Sequence, residues 1–92
     1  MVYIRGMKHI IIDVREPSEY ARGHVEGALN IPPIVLLQGV PTELESVPKD
    51  AEIILYCMTG ARSRVSMHIL SQYGFTNLIN GINKDHVKAR YS

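Results

Sequence analysis

The chain is short of several things, and each shortage removes a class of function. Its 92 residues contain one cysteine, Cys57. A lone thiol excludes an intramolecular disulfide, a two-thiol redox cycle and a metal site built from several cysteines. Charge of either sign is nearly balanced, 10 Lys and Arg against 9 Asp and Glu, for a net charge of +1. So weak a field draws neither nucleic acid nor an anionic membrane surface. No apolar run approaches the roughly 20 residues of a membrane span. The opening stretch MVYIRGMKH lacks the hydrophobic segment of a signal peptide, and a cytoplasmic protein is expected. His9, His68 and His86 are scattered without metal-ligand spacing, so neither a metal nor a cofactor is expected. His24, in Gly23-His24-Val25, suits a turn better than a general base.

What is present is ordinary for a globular domain: 46% hydrophobic and 21% charged residues. The length predicts one compact domain over residues 1–92, with a small core. Residues 9–14, HIIIDV, form a β-branched run that reads as a buried strand. REPSEYARG follows. Pro17 suits a first helical position, Glu19 the first turn and Gly23 the stop, which predicts one or two turns of helix. Residues 28–31 read as a short extended piece ended by Pro32 and Pro33. Between 34 and 47, Ile34, Leu37, Leu44 and Val47 suggest a helix face that Gly39 and Pro41 split. Residues 52–56, EIILY, are the clearest strand. After them Val65, Ile69 and Tyr73 recur at helical spacing, and Gly74 can close that helix. Residues 76–79 predict a last strand and 83–90 a terminal helix. Strands that are apolar throughout and alternate with helices argue an α/β fold whose parallel sheet is covered on both faces. Ligand sites in such sheets form at the carboxyl ends of strands, and Cys57 stands at one.

The thiolate is the reactive form of cysteine, and an unperturbed thiol is mostly protonated at neutral pH. Three features around YCMTGARSR favour the anion. The helix that follows presents unpaired N–H groups and positive partial charge. Arg62 adds a full charge. Met58-Thr59-Gly60-Ala61 can curl so that successive amides face the sulfur, with Gly60 adopting backbone angles that a Cβ resists. Thr59 and Ser63 offer hydroxyls. A buried, inert cysteine at a strand end is the bland alternative.

The segment Cys57-Met58-Thr59-Gly60-Ala61-Arg62-Ser63 resembles the active-site loop of rhodanese-like sulfurtransferases, a cysteine and an arginine separated by four residues. Asp13-Val14-Arg15-Glu16-Pro17-Ser18-Glu19-Tyr20 is similar to the family's first signature. Gly23-His24-Val25-Glu26-Gly27-Ala28-Leu29-Asn30-Ile31-Pro32 is similar to its second, and the likeness runs from about residue 10 to residue 82. The resemblance implies a small three-layer α/β/α domain with a central, mostly parallel sheet. It also implies an enzyme that takes a sulfane sulfur from a donor such as thiosulfate or a persulfide. That sulfur is held as a cysteine persulfide and passed to cyanide, a small thiol or a protein acceptor. Cys57 would be the nucleophile, backbone amides of residues 58–63 would cradle the outer sulfur, and Arg62 would hold the loop and its negative charge. Where the family usually has Gly-Gly and a downstream tryptophan, this chain has Gly81-Ile82-Asn83 and no tryptophan.

Asp13 and Arg15 end a strand near the expected site. They read as an ion pair bracing a loop, or as an acceptor for site loops and an attractor of anions; either way they stand behind the nucleophile. Met58 is either an apolar rim or a surface side chain. Two other functions are compatible with the scaffold. A phosphatase-like or arsenate-reducing enzyme needs a wider loop, with five residues between cysteine and arginine. A non-catalytic binding module commonly lacks the cysteine.

Overall fold

The computed structural model describes residues 9–91. The opening residues 1–8, part of the stretch read for a missing signal, lie outside that range. Four strands form one sheet in the order β2-β1-β3-β4, with every pairing parallel. They are β1 (Ile10–Asp13), β2 (Leu29–Asn30), β3 (Ile53–Cys57) and β4 (Leu78–Asn83). The helices are α1 (Pro17–Ala21), α2 (Pro33–Leu36), α3 (Ala61–Gln72) and α4 (Lys84–Tyr91), with a 3-10 turn at Thr42–Leu44. Among the described residues no helix is long and apolar enough to cross a membrane.

Side chains alternate across a strand, and here both faces are covered. Ile10, Ile12, Ile53, Leu55 and Cys57 pack with Leu36, Leu44 and Leu70 on the side of α2 and α3. Ile11, Ile54 and Tyr56 pack with Val25, Ala28 and Val87 on the side of α1 and α4. This is why the two central strands read as unbroken apolar runs.

The helix faces differ from the expectation. Val65 is 56% exposed, and α3 instead buries Ser63, Ser66 and Leu70. The rotation of α3 is set at its first turn, where Ser63 is tied to the cysteine loop. Val65, two residues on, is thereby turned outward. The small Ser63 and Ser66 let the helix sit close to the sheet, and Ser66 Oγ donates to Arg62 O at 2.9 Å. Ile34 and Leu37 are likewise exposed, at 66% and 68%, while Leu44 and Val47 are buried. Pro33 starts α2 and only Leu36 of that helix is buried, because four residues present one side chain to the sheet.

The last strand begins two residues later than expected and runs on to Asn83. Its register slips once: Leu55 pairs with Asn80 but Tyr56 pairs with Ile82, so Gly81 is the extra residue of a bulge. A Cβ on Gly81 would stand 2.5 Å from Val87 Cγ2 and 3.0 Å from Ile54 Cγ2, so glycine alone fits there. Ile82 then takes φ 74°, an angle that strains a β-branched residue.

Candidate active site

Cys57 is the last residue of β3 and its side chain is buried, 2% exposed. Gly60 caps α3 with φ 93°, the left-handed backbone that favours glycine. That turn folds residues 58–60 back over the sulfur. The Gly60 N–H donates to Cys57 Sγ at 3.1 Å, and Ser63 Oγ lies 3.6 Å from it. Burial pushes the thiol pKa up. The Ser63 amide, the Ser63 hydroxyl and the amides of Thr59 and Gly60 push it down by more, and the net value is lowered to about 7. The loop expected from the sequence is therefore a cradle of amides plus one hydroxyl, at the N-terminus of a helix twelve residues long. Ala61 opens that helix, while Met58 and Thr59 are exposed and Met58 forms part of the rim.

Arg62 stands in the first turn of α3, where the helix dipole disfavours a cation. The resemblance implied that it holds the loop and its negative charge. Its guanidinium instead forms a two-pronged bond with Glu19 of α1, Nη1 to Oε1 at 2.7 Å and Nη2 to Oε2 at 3.1 Å. Glu19 Oε1 also accepts the Glu16 N–H at 2.9 Å, capping α1. The Arg62 bond, then the Glu16 amide, lower the Glu19 pKa to about 2. The same bond, chiefly, raises the pKa of Arg62, and the Cys57 charge adds to it.

Asp13 and Arg15 form the buried ion pair that the sequence suggested, Nη2 to Oδ2 at 2.7 Å and Nε to Oδ1 at 3.0 Å. Arg15 also donates to Gly23 O at 2.6 Å, joining β1 to the turn after α1. Tyr56 OH donates to Asp13 Oδ2 at 2.7 Å and accepts the Val25 N–H at 3.0 Å. Burial, first of all, raises the pKa of Tyr56, and the Asp13 carboxylate adds to that. His24 holds a turn, its Nδ1 2.9 Å from Tyr20 O and its ring stacked on Tyr20 at 3.6 Å.

A cavity of about 470 Å³ opens beside the sulfur at the carboxyl ends of β1, β3 and β4. Arg15, Glu19, Arg22, Cys57, Met58 and Lys84 are among its lining residues. Arg22 and Lys84 make no ion pair among the described residues, and neither stood out in the sequence. No group of His, Cys, Asp or Glu suited to a metal occurs among the described residues. The sequence reading also passed over Asn80, which donates to Gly60 O and accepts from Ser63 Oγ. Its only local sign was a polar residue next to a glycine in the middle of β4.

The sheet is parallel throughout, a loop holds the Cys57 sulfur at the end of β3, and a cavity lined in part by Arg15, Arg22 and Lys84 opens beside it. The chain belongs to the rhodanese-like domain family, whose model matches residues 3–85. It is 36% identical over 69 residues to the thiosulfate sulfurtransferase PspE of Escherichia coli, covering 75% of this chain and 64% of that protein. A sulfurtransferase of Allochromatium vinosum is 32% identical over 71 residues, covering 77% of this chain and 63% of its own length. The chain thus spans under two thirds of the length of these relatives. Among solved structures, an E. coli rhodanese with bound anions superposes with a TM-score of 0.73 at 32% identity, covering 85% of this chain and 89% of its own. The human single-domain sulfurtransferase TSTD1 superposes with a TM-score of 0.72 at 25% identity, covering 92% and 85%.

Proposed function

We propose that this chain is a sulfurtransferase that carries a sulfane sulfur on Cys57, with a donor such as thiosulfate and a thiol or cyanide as acceptor. One observation carries the reading: a buried thiol whose pKa is held near 7 by loop amides and that faces an open cavity. At neutral pH such a sulfur is substantially thiolate, the nucleophilic form.

The thiolate attacks the sulfane sulfur of thiosulfate. A Cys57 S–S bond forms, the donor S–S bond breaks, and sulfite departs with the electron pair. The outer sulfur of the persulfide keeps one negative charge, and amides at the start of α3 suit a small anion. An incoming thiolate then attacks that outer sulfur, and Cys57 leaves as thiolate, restoring the start. With one cysteine in the chain, no internal disulfide can release the sulfur, so the acceptor is an external small molecule or a partner's thiol. The cations Arg22 and Lys84 at the cavity favour an anionic donor. Arg62 contributes its charge beside the sulfur while tied to Glu19. A free thiol in this role suits a reducing compartment such as the cytoplasm.

Intact-mass measurement after incubation with thiosulfate tests the reading. The expected result is a gain of one sulfur atom that dithiothreitol removes and that a folded Cys57→Ser variant does not acquire. Absence of the adduct in the parent protein, or thiocyanate formation by the Cys57→Ser variant in cyanide, overturns it.

A further inference from the structure

Cys57 is buried, yet a cavity of about 470 Å³ opens beside its sulfur. A sulfur so recessed is closed to a thiol on a flat protein face and open to a small molecule that can enter. The volume falls in the range of pockets that hold organic ligands, roughly 300–1,000 Å³. Cyanide and thiosulfate are too small to fill it.

The charges around the cavity divide into tied and untied ones. Arg15 is bound to Asp13, and Glu19 to Arg62. Among the described residues, the side chains of Arg22, Lys84 and Asp85 line the cavity with neither an ion pair nor a hydrogen bond. The two cations come from different elements and meet at one turn. Arg22 caps the C-terminus of α1, and Gly23 follows it with φ 145°. A Cβ on Gly23 would stand 3.4 Å from Lys84 Nζ, so the Lys84 ammonium rests against that turn. Asp85 answers one of the two cations. The fixed charges of the wall, the sulfur apart, therefore hold one positive charge over, which suits a singly charged group. A guanidinium meets a carboxylate with two parallel bonds. Both cations lie outside the cysteine loop, so they face a part of the incoming molecule away from its reacting sulfur.

We propose that Arg22 and Lys84 form a carboxylate subsite, and that the acceptor of the Cys57 sulfur is a small organic thiol that carries a carboxylate. The inference rests on Cys57 acting as the sulfur carrier. In the transfer the acceptor thiolate bonds to the outer sulfur. The bond between that sulfur and Cys57 Sγ breaks, Cys57 takes its electron pair, and the acceptor departs as its own persulfide. The carboxylate, held at the turn after α1, keeps the thiolate in place for that attack.

Two rate ratios test the subsite. One needs no sulfur transfer: labelling of Cys57 by dithiobis-nitrobenzoate, a disulfide that carries carboxylates, against labelling by the neutral dipyridyl disulfide. The other is loss of the persulfide to mercaptopropionate against mercaptoethanol at equal thiolate concentration, read by intact mass. Parent, Arg22→Gln, Lys84→Gln, the Arg22→Gln/Lys84→Gln double variant and Asp85→Asn are compared after thermal melts show that they fold. Both ratios should fall about two- to five-fold for each cation removed, the range of solvent-open charge pairs. Added salt should shrink the parent's preference. Asp85→Asn should raise both ratios, a direction that damage to the fold does not produce. Ratios that are the same in the parent and the folded double variant overturn the proposal, as does a parent that prefers the cationic thiol cysteamine to mercaptopropionate. A labelling ratio that follows the cations in a protein that takes no sulfur from thiosulfate supports the subsite and fails the sulfur-transfer reading instead.

Discussion

Two carboxylate–guanidinium pairs flank the cysteine loop, and they share chemistry but not surroundings. The Asp13 and Arg15 side chains are 0% and 8% exposed. Those of Glu19 and Arg62 are 24% and 37% exposed. The inner pair is over-determined. Asp13 takes the guanidinium, the Arg15 N–H and the Tyr56 hydroxyl, while Arg15 spends a further N–H on Gly23 O. Removing charges from water is costly, and such a pair persists only when its hydrogen-bonding positions are filled. The outer pair is open to solvent and water screens it, so its stabilisation is small. What it controls is where the Arg62 charge sits relative to the sulfur. The same two functional groups thus act as a brace in one place and as an electrostatic setting in the other, and burial decides which.

The largest effect is expected at the inner pair. Asp13→Ala leaves Arg15 buried without its counter-charge and Tyr56 without its acceptor. Urea denaturation should show a loss of about 3–5 kcal/mol. A loss under about 1 kcal/mol, the range of exposed pairs, would erase the distinction between the two.

A smaller loss is expected from Tyr56→Phe. The ring stays in the core against Ile54 and Val87, but Asp13 loses one donor and the buried Val25 N–H loses its acceptor. Leaving such a group unpaired costs about 1–3 kcal/mol, again readable by urea. An unchanged midpoint would show that the hydroxyl is a bystander and the ion pair stands by itself.

The smallest stability effect belongs to the outer pair. Glu19→Gln keeps an acceptor for the Glu16 N–H and removes only the charge. Stability should change little, since water screens the pair, while the pH midpoint of iodoacetamide labelling of Cys57 should fall, because the Arg62 charge is no longer offset. The pH dependence has a definite sign. Glu19 has a folded pKa lowered to about 2 from its ordinary value of 4.5, so the pair's stabilisation is full above the unfolded value. It is lost as pH falls through the folded one. Parent and Glu19→Gln should therefore converge in stability as the pH approaches 2, and a carboxylate titration of Glu19 by NMR above pH 4 would show that the pair does not form in solution.

How much of this was legible in the sequence varies residue by residue. The strand 52–56, the loop after it and the glycine at its turn could be read from neighbours, because a run of buried aliphatics and a positive-φ requirement are local properties. Asp13 and Arg15, two positions apart, could be read as a pair for the same reason. Arg62 was read as a loop-holding charge because its true partner, Glu19, lies 43 residues away. Glu19 itself carried a sequence signal, but as a helix-capping acid, and nothing in that signal pointed across to α3. Val65 was misread because hydrophobic spacing gives the period of a helix and not its rotation, which the tie between Ser63 and the cysteine loop imposes.

The parallel α/β class, the place of Cys57 at a strand end and the turn that brings amides to its sulfur follow from the order of residues along the chain. These depend on backbone angles and on which short runs must leave water, and both are written in adjacent residues. That Arg62 faces Glu19, that Arg22 and Lys84 line the cavity, and that Asn80 meets Gly60 and Ser63 through a bulge at Gly81 came from the packed fold. Those contacts join segments held together by the shared core. Their geometry follows from how the helices settle on the sheet, which no spacing along the chain records.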